Sequence, residues 1–394
     1  MGIEGKIGIF APLKTKVNMH FLNGSRIFIQ PKSKYLSIEE QASSCLAQLK
    51  GIPPDKRIYK LNFFADVKSE KEYKQLKQKL QQLVAESVQT SVVCELIAQP
   101  PLNAGIIAEA FTFDTSLWKT EFLSGKNGSA MLFRRAGAKV LIGSSQSDTF
   151  PGCRENAVSA FNTFTGLLKS VDLPLHSVVR QWNYIENITG FDGENQRYQQ
   201  FNNVRSAVYA NHFSQSGFPA ATGIGMNRGG IILEFVAVDI HGAVSQPIDN
   251  PEQISAHCYS EKVLEGKHFT LKATPKFERA RLFECFGQKQ LFISGTASIR
   301  GENTIALNDP AKQTEITIQN MQQLYSKKSL KSVTVDTLRP VYGHARVYVK
   351  NREDYSAIKG VFENYYGKLP VVYILADICR HDLLVEIEGE AILE

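Results

Sequence analysis

The chain has 394 residues, of which 43% are hydrophobic and 21% charged, and its formal net charge is +6. This length predicts two to three domains, and the composition is that of a globular protein with a packed core. The densest basic run, 68–79, is interleaved with glutamate at helical spacing, which indicates a solvated helix face and disfavours a nucleic-acid surface. No apolar run is long enough to cross a bilayer, so we expect no membrane partner.

The cysteines indicate the redox environment. The six cysteines are far apart, with no CxxC pair and no Cys/His cluster at metal-ligand spacing. This argues against a disulfide framework and against a zinc site. The opening stretch MGIEGKIGIFAPLK lacks the basic, apolar and cleavable layout of a signal peptide. We therefore predict a cytoplasmic protein with no metal and no organic cofactor.

An internal repeat is the main organising feature of the sequence. The stretches 57–113, 177–238 and 343–393 each contain a strand, an amphipathic helix and two closing strands. A further strand and helix precede each of them, which gives an inferred order of β-β-α-β-α-β-β. We predict an α+β fold of three tandem modules, each a β-sheet with helices on one face, around a pseudo-threefold axis. Such a chain completes the trimer internally, so a monomer is expected.

The predicted domains are 1–120, a degenerate N-terminal module; 121–240, the middle module; and 281–394, the C-terminal module. Residues 241–280 do not fit the repeat, because they contain Pro247, Pro251 and Pro275 and few apolar runs. We interpret them as a connector or lid that covers a cleft between modules.

Differences between the copies point to a candidate acid. Aligning the closing strands places Glu386 opposite Ile107, and opposite either Phe235 or Glu234 in the middle module, because a one-residue slip would switch faces. Glu386 and Glu388 share one face of their strand. A carboxyl group partly desolvated at a module interface has a raised pKa, which suits a general acid. The alternative is a solvated acid on a surface strand edge.

The middle module offers cations. Arg197 and Arg205 lie about two helical turns apart on roughly one face, beside Tyr198. Two such arginines can hold a carboxylate through bidentate contacts. Ordinary salt bridges on an exposed helix explain the pattern equally well.

Three further residues are candidates for the same site. Gly295 and Thr296 end a strand before a loop, where backbone N–H groups can hold an anion, although a tight turn also explains them. Cys379 precedes Glu386 by seven residues, so a hairpin could bring the two together, although a buried structural cysteine is the usual case.

The module pattern resembles the RidA-type trimeric deaminase fold. The resemblance rests on FPAATGIG followed by ILEFVAV, and on LPVVYILADICRHDLLVEIEGEA. That family carries a substrate-binding arginine after a proline, whereas here Pro219 and Pro370 are followed by Ala-Ala and Val-Val. Imine deamination is therefore disfavoured.

A more specific resemblance is to the chorismatase family. It covers the region from about residue 180 to the C-terminus, and the first 120 residues take little part in it. The motifs that carry it are QWNYIENITG, ENQRYQQFNNVR, FPAATGIG, ISGTASI and ADICRHDLLVEIEG, in the order expected.

The resemblance implies cleavage of the enolpyruvyl ether of chorismate with release of pyruvate. Glu386 would protonate the vinyl ether methylene. Arg197 and Arg205, with Arg346 as a weaker candidate, would hold the substrate dianion. No metal or cofactor would be needed.

The resemblance also bears on the product. In the subgroup that forms 3-hydroxybenzoate, a cysteine stands seven residues before the catalytic glutamate, and Cys379 has that spacing. We therefore expect 3-hydroxybenzoate. A dihydroxycyclohexadiene carboxylate or 4-hydroxybenzoate stays open, as do a RidA-type deaminase and a non-catalytic protein that binds small acids.

Overall fold

The computed structural model describes residues 21–261, 264, 272–330 and 339–394. The prediction about the N-terminal stretch falls outside the described residues, as do positions 262–263 and 265–271 of the predicted connector.

The first module contains four described strands and two helices. In chain order these are β1 (Arg26–Ile29), α1 (Ile38–Gln48), β2 (Lys56–Ala65), α2 (Glu70–Ser87), β3 (Val93–Ile97) and β4 (Ile106–Asp114). The strand order in its sheet is β1-β4-β2-β3, and β2 and β3 run parallel.

The second module forms a six-stranded sheet in the order β11-β8-β12-β7-β6-β5. Its elements are β5 (Lys119–Gly125), β6 (Gly128–Arg135), β7 (Ala138–Gln146), α3 (Cys153–Lys169), β8 (Val178–Glu186), the short β9 (Phe191–Asp192) and β10 (Asn195–Gln196), α4 (Arg197–Tyr209), β11 (Ala220–Met226) and β12 (Ile231–Ile240).

The third module repeats this arrangement in the order β13-β14-β15-β20-β18-β19. Its elements are β13 (Val244–Ile248), β14 (Ala280–Cys285), β15 (Gln288–Ala297), the short β16 (Ile299–Arg300) and β17 (Asn303–Thr304), α5 (Pro310–Gln323), β18 (Pro340–Val349), α6 (Tyr355–Tyr366), β19 (Val371–Leu375) and β20 (Val385–Leu393).

These topologies confirm the predicted α+β fold of three tandem modules. The inferred element order was one strand short, because the main sheets of the second and third modules each have three strands before the first helix, apart from the short β16–β17 hairpin. The extra strands, β5 and β13, lie at the edges of their sheets. The side chains of β5 are largely exposed and β13 contains Pro247, so neither has the apolar pattern of a central strand. The strand β13 falls within the stretch predicted as a connector.

Side-chain caps mark the start of α1, α2 and α5. Ser37 and Glu40 form a capping box at α1, and Asp309 caps α5, whose first residue is Pro310. Helices pack on one face of each sheet, and each module has its own apolar cluster there. The opposite faces of the three sheets meet in a central cluster that includes residues of all three modules, among them Phe64, Trp182 and Tyr348. The helices therefore lie outside and the sheets surround a common axis.

Backbone contacts join the modules around this axis. The Leu375 N–H donates to the Pro100 carbonyl at 2.8 Å, Gly225 N–H to the Asp377 carbonyl at 2.8 Å, and Asn227 N–H to the Ala98 carbonyl at 2.8 Å. Each bond lies near the end of a β3, β11 or β19 strand. The three equivalent strands thus connect first to third, second to third and first to second modules.

Strand register settles the alignment of the closing strands. Ile107 pairs with Phe64 and Glu386 with Tyr348, which bears out the alignment of these two positions. In the second module Ile232 pairs with Tyr184, the equivalent of Tyr348, so the counterpart of Glu386 is Ile232.

The predicted counterparts Phe235 and Glu234 were wrong, because the loop between β11 and β12 is shorter than its equivalents. Glu234 lies two positions further and aligns with Glu109 and Glu388.

Candidate active site

A cleft between the second and third modules contains Glu386. The cleft encloses about 730 Å³ of space not occupied by protein atoms, its open mouth included. The second module contributes α4 and β11, and the third contributes β15, β20 and the loop before β20. The segment between β13 and β14 closes one side with Tyr259, Leu264, Pro275, Phe277 and Arg279.

Glu386 has room in the cleft because a nearby residue of β15, Gly295, has no side chain. A Cβ atom at Gly295 would lie 2.0 Å from Oε1 of Glu386 and 3.1 Å from Cγ2 of Thr222. The β15 and β20 register shifts between Ile293 and Thr296, so Gly295 lies in an irregular stretch of the ladder. Glycine at this position therefore provides the space in which the carboxyl group sits.

The electrostatic environment of Glu386 favours its protonated form. The residue is 4% exposed, and burial, followed by the nearby negative charge of Glu388, raises the pKa of Glu386 to about 8, against smaller opposing effects of Arg180 and Arg279. Within the described residues no hydrogen bond is made to this carboxyl group, which leaves it available to a ligand in the cleft. At neutral pH it can act as a proton donor.

Two arginines line the same cleft, and both contact Tyr259. Arg279 donates from Nη2 to the Tyr259 hydroxyl at 2.6 Å and to the Ile254 carbonyl at 2.7 Å. The Arg380 guanidinium lies 5.2 Å from the Tyr259 ring centroid and donates to the Glu302 carbonyl at 2.7 Å. The Nε atom of Arg279 is buried without a hydrogen-bond partner among the described residues. Donors therefore remain for an anionic ligand.

Several predicted site residues meet here. Tyr198, Cys379, Gly295 and Glu386 all line the cleft. Arg205 is not among the lining residues, but it lies directly behind them: it is 1% exposed, donates to Asn202 Oδ1 at 2.6 Å and interacts electrostatically with the Tyr198 hydroxyl. Burial raises the pKa of Tyr198 above its ordinary value, so its hydroxyl stays protonated. In this structure Arg205 orients the wall of the cleft.

The structure does not bring Arg197 to the cleft. Its guanidinium pairs with Asp192 at 2.6 Å and donates to the Glu186 carbonyl at 2.8 Å. Arg197 and Arg205 lie eight residues apart, which is close to one helical face. The start of α4 is nevertheless anchored by β9, so the two guanidinium groups meet different partners.

Thr296 and Arg346 also lie outside the cleft lining. Thr296 is buried and donates its hydroxyl to the Ser294 carbonyl at 2.8 Å, and the backbone N–H of Gly295 donates to the Thr222 hydroxyl at 3.0 Å. Arg346 is fully buried on the axis, where it pairs with Glu109 and, at 3.1 Å, with Glu388. An arginine held by two carboxylates from different modules joins the modules together.

This axial position belongs to a buried ionic cluster in which every module contributes an acid at an equivalent strand position. The acids are Glu109, Glu234 and Glu388, which the strand registers align. Lys60 pairs with Glu234 at 2.9 Å and Arg180 with Glu388 at 2.7 Å. The cluster lies on the same sheet faces as Glu386 but is separated from the cleft.

Sequence reasoning missed Arg279, Arg380 and Tyr259. Tyr259 and Arg279 come from the stretch predicted as a connector, and Arg380 from the loop after β19. Loop residues carry no periodicity, and nothing in their spacing links them to Glu386. The one available signal was the expectation that the connector covers a cleft.

Among the described residues, no group of three or more histidine, cysteine or acidic side chains could hold a metal ion. No helix in the described part of the chain is long and apolar enough to span a membrane. The site thus combines a protonated carboxyl group, two arginines and a tyrosine in a partly buried cleft. It can bind an anion and deliver a proton to it.

The fold and cleft define a three-module α+β protein with an acid at one module interface, and the comparisons bear on its family and fold. A family model described as chorismatase FkbO/Hyg5-like, N-terminal, matches residues 117–237. A "3-hydroxybenzoate synthase" of Streptomyces hygroscopicus is 34% identical over 230 residues, 54% of this chain and 63% of that protein. A "Chorismatase" of Streptomyces rapamycinicus is 32% identical over 237 residues, 57% of this chain and 67% of that protein.

A solved structure has the same overall fold. It is a crystal structure of a chorismatase, with a TM-score of 0.69 and 23% sequence identity, and the match covers 93% of this chain and 98% of that one. The chain belongs to the chorismatase family, as its motifs predicted. The alignment spans less than two thirds of the length of the 3-hydroxybenzoate synthase.

Proposed function

We propose that this protein cleaves the enolpyruvyl ether of chorismate and releases pyruvate, with Glu386 as the catalytic acid. The observation that carries the proposal is the placement of Glu386. It is a buried carboxyl group with a pKa raised to about 8, in a cleft that two arginines also line. Family membership supports the substrate, since the relative from Streptomyces rapamycinicus is named a chorismatase.

The reaction begins with a proton transfer. Glu386 gives its proton to the methylene carbon of the vinyl ether, which becomes a methyl group and leaves an oxocarbenium-like centre at the ether carbon. Water adds to that carbon, and the bond between the carbon and the ether oxygen then breaks to give pyruvate. The pKa of Glu386 suits this step, because the group is largely protonated at neutral pH.

Substrate binding needs positive charge, because chorismate carries two carboxylates. In our proposal Arg279 and Arg380 hold them, since both line the cleft and Tyr259 fixes both guanidinium groups. Arg205 acts one step removed, through Tyr198 and Asn202. Arg197, Thr296 and Arg346 are engaged elsewhere, so we do not retain them as substrate contacts.

The product that we propose is 3-hydroxybenzoate. It keeps the ether oxygen on the ring and loses the neighbouring hydroxyl as water. The water consumed in pyruvate release is thereby returned, and chorismate gives one pyruvate and one hydroxybenzoate with no net water. Cys379 supports this choice, because it lines the cleft with Glu386 and has the spacing of the 3-hydroxybenzoate subgroup.

Incubation of the purified protein with chorismate tests the proposal. Pyruvate is assayed with coupled lactate dehydrogenase, and the ring product is identified by chromatography against 3-hydroxybenzoate, 4-hydroxybenzoate and the dihydroxycyclohexadiene carboxylate. We expect pyruvate and 3-hydroxybenzoate in equal amounts. Pyruvate release no faster than spontaneous decay would remove the proposed activity, and binding of chorismate without turnover would favour a small-acid-binding protein instead.

We further propose that the protein acts as a cytoplasmic monomer. Three modules already surround the axis within one chain, and the cleft is formed by two of them. Size-exclusion chromatography with light scattering should give a mass near 44.0 kDa. A mass two or three times as large, from a dimer or a trimer, would contradict this part of the proposal.

A further inference from the structure

Glu388 lies two residues from Glu386 on the same face of β20, yet its surroundings are the opposite. Its carboxylate accepts from Arg180 Nη2 at 2.7 Å, Trp182 Nε1 at 3.0 Å and Arg346 Nη1 at 3.1 Å. The hydroxyls of Tyr348, at 3.2 Å, and Thr222 also donate to it. Five donors hold this carboxylate ionised and in one place.

Thr222 connects Glu388 to the floor of the cleft. Its hydroxyl oxygen accepts from Arg180 Nη2 at 2.8 Å and from the Gly295 N–H at 3.0 Å, while its proton goes to Glu388. Gly295 is the residue whose missing side chain admits Glu386. The position of that glycine, and so the space for the acid, depends on the same polar group that binds Glu388.

We propose that Arg180, Thr222 and Glu388 form a positioning cluster for Glu386, in which the fixed charge of Glu388 keeps the proton on Glu386 and Thr222 holds Gly295 beneath it. None of the three lines the cleft, so they act through Glu386 and do not touch the substrate. The inference rests on the proposed function only in the experiment that measures chorismate turnover.

Charged and titratable groups surround Glu386 on several of the elements that pack against it. Those that share the cleft or interact electrostatically with it are Glu388, Arg180, Arg279, Arg380, Tyr198, Tyr259, Tyr348 and Cys379. Glu388 is the carboxylate of this set, and Arg180 is its strongest cationic opponent. The pKa of Glu388 is held low: burial acts to raise it, but Arg180 and Arg346 outweigh burial.

The cluster makes two opposite predictions for the proton on Glu386. Replacement of Glu388 by glutamine removes a negative charge and leaves Arg180 without its carboxylate partner, so the pKa of Glu386 falls. Replacement of Arg180 by glutamine removes a positive charge, so that pKa rises. A role in folding alone gives no such pair of opposite shifts.

The first experiment measures the pH dependence of kcat/KM with chorismate. In the wild type the rate is expected to fall above about pH 8, where Glu386 loses its proton. We expect this fall to move down by about one pH unit or more in Glu388→Gln and up in Arg180→Gln. Glu390→Gln is the matched control, because Glu390 lies two residues further along β20 and pairs with Arg26 at 3.4 Å. In this variant kcat/KM should fall at the same pH as in the wild type.

The second experiment does not depend on turnover. Glu386 is protonated in the folded state up to about pH 8, whereas in the unfolded chain it ionises near pH 4.5. The wild type therefore loses stability relative to Glu386→Gln as pH rises between these values, and the difference levels off above the folded pKa. Denaturant unfolding is measured from pH 5 to 9 in the wild type, Glu388→Gln and Arg180→Gln, each with and without Glu386→Gln. It gives the pH at which the stability difference levels off in each case.

The outcomes separate the two proposals. One outcome is that the pH at which the stability difference levels off moves down in Glu388→Gln and up in Arg180→Gln while the wild type turns over no chorismate. That result would support the cluster and reject the chorismatase activity. Equal shifts in the two variants, or a shift in Glu390→Gln as large as in Glu388→Gln, would overturn the cluster. If Glu388→Gln does not fold, Arg180→Gln still decides: a fall that stays in place or moves down rejects the inference.

Discussion

The interface of the first and second modules differs from that of the second and third in the residue at the position of Glu386. At the interface of the first and second modules, the counterpart of Glu386 is Ile232, which is fully buried in the central apolar cluster. The polar groups there are satisfied by one another: Gln146 donates to the Tyr73 hydroxyl at 2.8 Å and to the Gly229 carbonyl at 2.8 Å, and Lys77 lies 3.4 Å from Glu95. At the interface of the second and third modules, Glu386 faces open space.

The difference shows what a binding site needs beyond the fold. Both interfaces bring a helix of one module near the closing strand of the next. The site arises where the strand carries an acid without a hydrogen-bond partner among the described residues, a glycine makes room for it and a connector supplies Tyr259 and Arg279. Each of these features can be removed singly, and the predicted losses differ in size.

The largest loss is expected from Glu386→Gln, which makes the acidic position as inert as Ile232. We expect kcat to fall by about 10²- to 10⁴-fold, the range for loss of a general acid. Glu363→Gln, on the exposed side of α6, is the matched control and should leave kcat unchanged. Circular dichroism verifies the fold of both variants. Near-normal activity in Glu386→Gln would remove this residue from its role.

The next largest loss is expected from Gly295→Ala, because the new Cβ would lie 2.0 Å from Oε1 of Glu386 and the carboxyl group must move. Displacing a catalytic group by about 1 Å can cost about 10²-fold in rate. The matched control is Gly360→Ala in α6, where nothing lies within 4 Å of the new atom.

In the control, activity should be retained and stability should rise by about 0.5–1 kcal/mol, since alanine is the better helix former. A Gly295→Ala enzyme with wild-type kcat would show that the position of Glu386 tolerates this displacement.

A smaller effect is expected from Arg380→Ala, which removes a cleft arginine and leaves the acid in place. We expect KM to rise about 10- to 100-fold, the equivalent of one or two charge-assisted hydrogen bonds. Arg197→Ala is the comparison, because Arg197 pairs with Asp192 and Glu186 in place of the cleft. It should lower the unfolding temperature with little change in KM. A raised KM in Arg197→Ala with an unchanged KM in Arg380→Ala would instead support Arg197 as the substrate contact, as the sequence predicted.

This pair of arginines shows how far the sequence could predict the site. The repeat, the three modules and the alignment of Glu386 with Ile107 followed from hydrophobic periodicity, which burial imposes on strands and helices alike. Arg197 and Arg205 were chosen by their spacing on α4, but spacing does not reveal that β9 places Asp192 against Arg197. Arg279 and Arg380 lie in loops, where only the folded chain decides what they approach.

The edge strands and the middle closing strand show the same limit. β5 and β13 have one neighbour each and mostly polar or partly exposed side chains, so they lack the apolar pattern that reveals a central strand. The slip between Ile232 and Glu234 arose because loop length between β11 and β12 is not coded in periodicity. Register is decided by pairing across β8.

The smallest effect on total rate, and the most specific one, is expected from Cys379→Ala. Cys379 lines the cleft with Glu386, but it donates no proton in the step that releases pyruvate, so total pyruvate formation should stay within about threefold of the wild type. The fate of the ring is expected to change, because in the proposed reaction the Cys379 side chain shares the cleft with the substrate ring. We expect part of the 3-hydroxybenzoate to be replaced by the dihydroxycyclohexadiene carboxylate, measured as a product ratio by chromatography. Cys258→Ala is the control, since Cys258 is exposed and does not line the cleft. An unchanged ratio in Cys379→Ala would mean that the seven-residue spacing does not determine the product, and that the shape of the cleft around Arg380 and Leu383 does.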